Sequence, residues 1–183
     1  NPMTSIVPSA GAPSCNGSRS AMRERRRGGK IRGCGAFAIA EGLLYAKAGK
    51  LFFKRLDTYL KDNRSVIIES TLSGFGLAKR LEAFKASGYT LHLVYVFLDS
   101  PDLCNKRIRA RVEKGGHNVP PHDVDRRYLR SLRNFVHVYM PSANKWVILY
   151  NGIKRPIEVA VGENDAMMVL DEGFYGKFRE IAK

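Results

Sequence analysis

Apolar and polar positions follow two different periods along the chain, and this pattern predicts which segments are helices and which are strands. Helical spacing predicts helices at 35–63, 76–88, 99–116, from about 121 and, more weakly, at 172–183. Short apolar runs predict strands at 65–70, 90–98, 146–150 and 157–161. The helix from about residue 121 has its core stripe at Val124, Tyr128, Leu132, Phe135 and Tyr139.

The strongest predicted strand, 90–98, is apolar nearly throughout, which is typical of a strand covered on both faces. The next helix has Asp99 or Ser100 as its cap, Pro101 in its first turn and Gly115 at its end. Because helices of about 12 or more residues separate the strands, we predict a parallel sheet with crossover connections. The predicted fold class is therefore α/β, with the sheet between layers of helices.

The first part of the chain differs from the rest in composition. Residues 1–33 carry seven cations against one acid, Glu24, and they are rich in Ser, Gly and Pro without sustained apolar periodicity. This composition predicts a basic, irregular or disordered segment at 1–35. One domain then follows at 36–183. A transit peptide and a nucleic-acid-binding arm are alternative interpretations of the segment.

The net charge of +14 over 183 residues implies an anionic partner: nucleic acid, a membrane surface or phosphorylated small molecules. No apolar run approaches the ~18 residues of a membrane span, so we expect a soluble protein with no membrane partner. Cys15, Cys34 and Cys104 lie far apart without CxxC spacing. This excludes a disulfide framework and a cysteine zinc site, and it suits a reducing cytoplasm.

Polar side chains follow the predicted strand at 65–70, where Glu69 and Thr71 come directly after an apolar run. Ligands of α/β proteins bind at the carboxyl ends of strands, so these side chains are candidates for contacting a sugar or nucleotide hydroxyl, or a metal-bound water. The hydroxyl groups of this segment also suit a simple turn and helix cap. A carboxylate at the end of an apolar strand, by contrast, needs a partner.

Arginines recur on the two predicted helices at 99–116 and from 121. Arg107 and Arg111 share one helix face, a Gly-Gly turn follows, and Arg126 and Arg127 lie on the next helix. Phosphoryl transfer needs cationic donors that close over the phosphates. Two mobile helices that carry guanidinium groups meet this need, because each planar group can form two hydrogen bonds to a phosphate. His117 lies in the turn, where we expect a structural histidine.

Four segments together resemble the zeta-toxin-like family of P-loop kinases. They are AGKLFFKRLDTYL, ESTLSG, GYTLHLVYVFLDSPDLCNKRIRARVEKGGHNVPPHDVDRRYLRSLRNF and YMPSANKWVILYN. The resemblance covers about residues 46–162, and the GGHxVP…RRYxRSLxN stretch is its most specific part. It implies a P-loop NTPase-like fold and a relationship to toxins that phosphorylate UDP-N-acetylglucosamine with ATP.

The resemblance also implies roles for individual residues. It places Glu69 and Thr71 in the substrate cleft. It implies that Arg111, together with Arg126 or Arg127, contacts the transferred phosphate from the mobile helical pair, which acts as a lid. Arg107 and Asn151 are its nucleotide-binding positions, with Asn151 near the base. ATP and Mg²⁺ are the implied cofactors, with no metal-ligating side chain assigned, and a nucleotide sugar and an antitoxin protein are the implied partners.

The sequence departs from the family at its amino-terminal third. It contains no G-x-x-x-x-G-K-[ST] motif, whose amides and lysine cradle phosphates. It also has no Asp before Asp57, although the family has an early Asp as general base. We therefore expect a fold that is incomplete at its amino terminus and has little or no activity. A basic nucleic-acid-binding protein and an inactive remnant that binds a partner protein are the alternatives.

Overall fold

The computed structural model of the chain describes residues 3–8, 36–152 and 155–183. They belong to two compact units. The smaller unit contains helix α1 (Ala36–Lys61). The larger unit contains, in chain order, β1 (Met3–Pro8), β2 (Val66–Glu69), α2 (Gly76–Ala86), β3 (Tyr89–Phe97), α3 (Pro101–Glu113), α4 (Pro121–Asn134), β4 (Lys145–Tyr150), β5 (Ile157–Glu163), β6 (Ala166–Val169) and α5 (Glu172–Ala182). No helix in the described ranges is long and apolar enough to cross a membrane.

The six strands form one sheet in the order β2-β1-β3-β4-β5-β6. β3 and β4 are parallel neighbours. β1 is antiparallel to both β2 and β3, so those two strands run in the same direction on either side of it. β5 and β6 continue the sheet as antiparallel strands. The α/β class predicted from the sequence is confirmed, and the common direction of β2, β3 and β4 agrees with the predicted crossovers.

The sheet is mixed where the sequence predicted a parallel one, and connection length explains the difference. Residues 151–156 join β4 to β5, and this link is too short for a crossover, which needs about a dozen residues or more. The turn between β5 and β6 contains Asn164 at φ 52, the left-handed conformation that two-residue hairpin turns require. Met3–Pro8 form a strand within the stretch predicted to be irregular. Residues 9–35 of that stretch lie outside the described residues.

Aromatic rings form the centre of the larger unit. Tyr95 of β3 stacks on Phe135 with 4.3 Å between ring centroids, and Phe97 meets Phe178 of α5 at 5.2 Å. Every second residue of β3 is buried. The predicted stripe of α4 is confirmed, since its members are buried apart from the half-buried Tyr128.

Helix α3 has no buried residue, unlike α4. Ser100 is its cap, because its Oγ accepts a hydrogen bond from the Leu103 amide at 3.3 Å. The helix ends at Glu113, and Gly115, two residues later, has φ +81. The Gly115 amide donates to the Val112 carbonyl and the Gly116 amide to the Arg111 carbonyl, both at 2.9 Å. These two bonds form a Schellman motif, so the Gly-Gly pair fixes the end of α3.

Candidate functional site

A cavity of about 390 Å³ lies where β3 and β4 end, and helices α3 and α4 form its outer walls. This is the edge at which α/β proteins bind ligands. Its floor is apolar and aromatic, with Tyr95 and Phe97 from β3, Cys104 and Ile108 from α3, and Tyr128 from α4. The apolar face of α3 therefore lines the cavity and is not part of the core.

Three arginines line the same cavity, namely Arg107, Arg111 and Arg127. Arg107 donates a hydrogen bond from its terminal NH₂ group to the carbonyl of Asn151, which joins α3 to the end of β4. The residue after Asn151 has to be glycine, because a Cβ on Gly152 would overlap the Tyr150 hydroxyl.

Arg111 is held by the turn that follows α3. Its terminal NH₂ group donates to the carbonyl of His117 at 2.8 Å. A Cβ on Gly116 would lie 2.5 Å from the Arg111 Cγ and 2.8 Å from the Arg111 carbonyl oxygen. Gly116 is therefore required for close packing against the Arg111 stem, and the turn holds the guanidinium through the His117 carbonyl.

Arg126 and Arg127 have different environments although they are adjacent. Arg126 lies 2.6 Å from the Asp123 carboxylate and is not among the cavity-lining residues, whereas Arg127 lines the cavity with its nearest Asp123 oxygen at 3.6 Å. The hydrogen bond from Arg126 lowers the pKa of Asp123 below its usual value. Asp123 thus stays ionised and neutralises Arg126 more than Arg127.

Thr71 lines the cavity from the loop after β2, and α4 with its continuation fixes that loop. The Asn134 side-chain amide donates to the Leu72 carbonyl at 2.8 Å, and the Tyr139 hydroxyl donates to the Gly74 carbonyl at 2.6 Å. Leu72 has φ 53, a left-handed conformation that is strained for a residue with a Cβ. The two hydrogen bonds hold this strained loop in place. Tyr139 belongs to a π-helical turn, Phe135–Tyr139, that continues α4.

Hydroxyl groups on the cavity floor are neutral and hydrogen-bonded. The Tyr128 hydroxyl donates to the Leu98 carbonyl at 2.7 Å, and the hydroxyls of Tyr95 and Ser131 are 3.0 Å apart. Burial raises the pKa of Tyr95 and of Tyr128 well above the usual tyrosine value. Burial also raises the pKa of the Cys104 thiol, so it is not an activated nucleophile.

The cavity brings together five of the residues that the sequence singled out: Thr71, Arg107, Arg111, Arg127 and Asn151. Glu69 and Arg126 are not among its lining residues; Glu69 is exposed at the end of β2. His117, interpreted from the sequence as structural, also lines the cavity.

Sequence reasoning missed the polar residues that hold the loops around the cavity. Asn134 and Ser131 are the buried polar residues of α4 and are spaced i, i+3 beside its apolar stripe. Buried polar side chains nearly always have a partner, so this spacing was a usable signal. The Tyr150 hydroxyl, which donates to Asp99 at 2.6 Å, gave no comparable signal in the sequence.

The donor chemistry of the described residues decides whether they suit a magnesium ion. Mg²⁺ binds through one or two carboxylates together with phosphate oxygens and water. The cavity-lining residues include no Asp or Glu, and no group of three or more His, Cys, Asp or Glu in the described ranges is arranged to hold a metal ion. These residues therefore do not fit the ion.

An α/β domain with a cationic cavity at the carboxyl end of its sheet is typical of nucleotide-binding proteins. The family model described as Zeta toxin matches residues 41–151, which is more than half of the chain. The chain belongs to the zeta toxin family, whose domain is P-loop NTPase-like and kinase-like in its function.

One curated relative, an uncharacterized protein of Haemophilus influenzae, is 35% identical over 69 residues, which cover 38% of this chain and 49% of the relative. The match thus spans about half the length of that protein. No solved structure matches the chain significantly.

Proposed function

We propose that the chain is a nucleotide-sugar kinase domain, which transfers a phosphoryl group from ATP to a hydroxyl of a substrate resembling UDP-N-acetylglucosamine. The observation that carries this proposal is the cavity in which the guanidinium groups of Arg107, Arg111 and Arg127 meet an aromatic floor. One guanidinium group can donate two parallel hydrogen bonds to the oxygens of a phosphate. An apolar floor can contact the face of a base or a sugar ring.

Each proposed role follows from position. Arg111 and Arg127 contact the transferred phosphate, because they come from two helices and line one cavity. Arg107 and Asn151, joined by a hydrogen bond, form the nucleotide side. Thr71 contacts the acceptor.

The two residues outside the cavity have conditional roles. Arg126 joins the phosphate contacts only when its ion pair with Asp123 opens. Glu69 lies at the end of β2, two residues before Thr71, and approaches an acceptor that extends beyond the cavity.

We expect little turnover from the chain itself. Its sequence lacks a Walker motif and has no Asp before Asp57. Loss of a general base alone costs ~10²–10⁴ in rate, and loss of the amide cradle weakens ATP binding as well. Ligand binding at the arginine cavity does not require those elements. An antitoxin-type protein partner and a cytoplasmic setting belong to the same proposal.

Phosphorus NMR of reactions with ATP and UDP-N-acetylglucosamine tests this function. We expect almost no product from the chain as it is. A variant with a family-type strand, Walker loop and aspartate in place of residues 1–40 should form product. Arg111→Ala should then remove most of that activity. Arg109→Ala should not, because Arg109 is exposed on the same helix and is not a cavity residue. A restored variant that forms no product would contradict the proposal.

A second candidate function, nucleic-acid binding, is favoured by the exposed arginines 126, 130 and 133 along α4. Binding to a phosphate backbone through six or more contacts weakens ~10³-fold or more between about 50 and 200 mM salt. Tight binding of random duplex DNA with that salt dependence, and no change in melting temperature with UDP-sugars, would favour this candidate over the kinase.

A further inference from the structure

The charges that line the cavity are all of one sign. Its charged lining residues include Arg107, Arg111 and Arg127, and in the described part of the chain no carboxylate lines it. A site that binds a nucleotide together with Mg²⁺ normally places at least one carboxylate or hydroxyl beside the ion. Among the described residues, the lining hydroxyl groups are those of Thr71, Ser131 and the tyrosines 95 and 128.

The hydroxyl groups on the cavity walls are already engaged within the protein. Thr71 Oγ1 lies 2.9 Å from Ser73 Oγ, and Ser131 Oγ lies 3.0 Å from the Tyr95 hydroxyl. The Tyr128 hydroxyl donates to a backbone carbonyl. These groups are therefore poor candidates for holding a metal ion.

The carboxylates nearest in sequence to the cavity walls also have partners. Asp99 accepts a hydrogen bond from Tyr150 at 2.6 Å, Asp123 pairs with Arg126, and Asp125 accepts from the Asn105 side chain at 3.2 Å. In the sequence, Glu24 is the single acid between residues 1 and 40, and no Walker Ser or Thr is present. The carboxylates adjacent to the cavity walls are therefore engaged within the protein, and Glu69, which is exposed at the end of β2, is not a lining residue.

We propose that this cavity binds a ligand of the nucleoside diphosphate class without a divalent cation, its three guanidinium groups taking the place that the ion has in other nucleotide sites. The inference rests on the proposed function, since it concerns the same cavity. It adds that arginine side chains, and not a metal ion, neutralise the phosphates of the ligand.

Guanidinium chemistry is adequate for this task. A guanidinium has five N–H donors, and the carbonyl contacts of Arg107 and Arg111 each involve one terminal nitrogen. The remaining donors can form paired hydrogen bonds to a diphosphate, and three guanidinium groups carry enough positive charge to neutralise it. The apolar floor strengthens these contacts by excluding water. A bound Mg²⁺ would compete for the same phosphate oxygens.

Calorimetric titration of the full 183-residue chain with UDP-N-acetylglucosamine and, separately, with ADP tests the inference. Each titration is run in excess EDTA and in excess Mg²⁺ at matched ionic strength. We expect binding in EDTA, with an affinity within about twofold of that in Mg²⁺ or tighter. An affinity that rises about tenfold or more with Mg²⁺ would overturn the inference and leave the proposed function standing. Absence of binding in both conditions would overturn both.

Two variants test whether the ligand measured in EDTA binds at the cavity. Arg111→Gln removes a lining guanidinium and should weaken binding by roughly ten- to a hundredfold, the range for a lost charged hydrogen-bonded contact. Arg109→Gln is the matched control and should bind as the unmodified chain does, because its side chain is exposed and outside the cavity. Equal losses in the two variants would show non-specific charge attraction and overturn the inference. Circular dichroism of both variants checks that they are folded.

Discussion

Asn134 donates a hydrogen bond from its side-chain amide to the backbone carbonyl of Leu72, 62 residues earlier in the chain, at 2.8 Å. Leu72 is buried and has a left-handed backbone with φ 53. The contact therefore ties the end of α4 to the strained loop that carries Thr71. A strained conformation persists only where surrounding contacts over-determine it, and Asn134 is one of those contacts.

Asn134→Ala should lower the free energy of unfolding by about 1–3 kcal/mol, because it leaves the buried Leu72 carbonyl without its partner. Denaturant unfolding followed by circular dichroism measures the change. Asn118→Ala is the control, since Asn118 is exposed and its replacement should change stability by less than about 0.5 kcal/mol. Equal stabilities of the two variants would contradict the anchoring role of Asn134.

Gly116→Ala should displace the Arg111 side chain, because the new Cβ would lie 2.5 Å from the Arg111 Cγ. We expect affinity for UDP-N-acetylglucosamine to fall several-fold, with a loss of stability of about 1–3 kcal/mol. Gly176→Ala is the control, and we expect it to raise stability where Gly116→Ala lowers it. Gly176 lies in α5 with open space around the position, so alanine should stabilise the helix by about 0.5–1 kcal/mol. Unchanged affinity in Gly116→Ala would show that the turn does not position Arg111.

Stability should fall as the pH rises above about 10, and Tyr95 should account for part of that fall. Burial raises the pKa of Tyr95 above its ordinary value of 10.0, so the unfolded chain loses the proton first. The contribution of this group is complete below pH 10 and is lost as the pH rises toward the folded-state pKa. Melting temperatures measured from pH 8 to 11 should therefore fall less steeply for Tyr95→Phe than for the unmodified chain.

Ser131→Ala tests the same titration from the other side. The Ser131 hydrogen bond lowers the pKa of Tyr95, so its removal should raise that pKa further. Burial already keeps folded Tyr95 protonated from pH 8 to 11, so Ser131→Ala should keep the alkaline slope of the unmodified chain, whereas Tyr95→Phe should not. Identical alkaline slopes in all three proteins would exclude Tyr95 as the titrating group.

The sequence predicted well the elements whose apolar period decides their burial. β3 and the stripe of α4 are such elements, since a fully apolar strand and an i, i+4 stripe both have to face a core. The apolar positions of α3 have the same spacing, yet Cys104 and Ile108 line a cavity. Periodicity reports which side chains avoid water and does not distinguish a core from a binding site.

Long-range relations were beyond sequence reasoning for physical reasons. The choice between Arg126 and Arg127 stayed open because neighbours on a helix point about 100° apart and the helix orientation was unknown. In the structure Arg127 lines the cavity and Arg126 pairs with Asp123. The short link between the predicted strands at 146–150 and 157–161 was a usable signal for an antiparallel β5. The pairing of β1 with β2 and β3 depends on partners far away in the sequence, which no local pattern encodes.

Hydrogen–deuterium exchange with and without UDP-N-acetylglucosamine tests most directly the central claim that the arginine cavity is the nucleotide-sugar site. We expect the ligand to slow exchange in the 70–75 loop and at 104–119, because Thr71, Arg107 and Arg111 close on it there. Exchange in β5 and β6, away from the cavity, should not change. Protection confined to α1 or to the β5–β6 hairpin, with the cavity segments unchanged at saturating ligand, would contradict the claim.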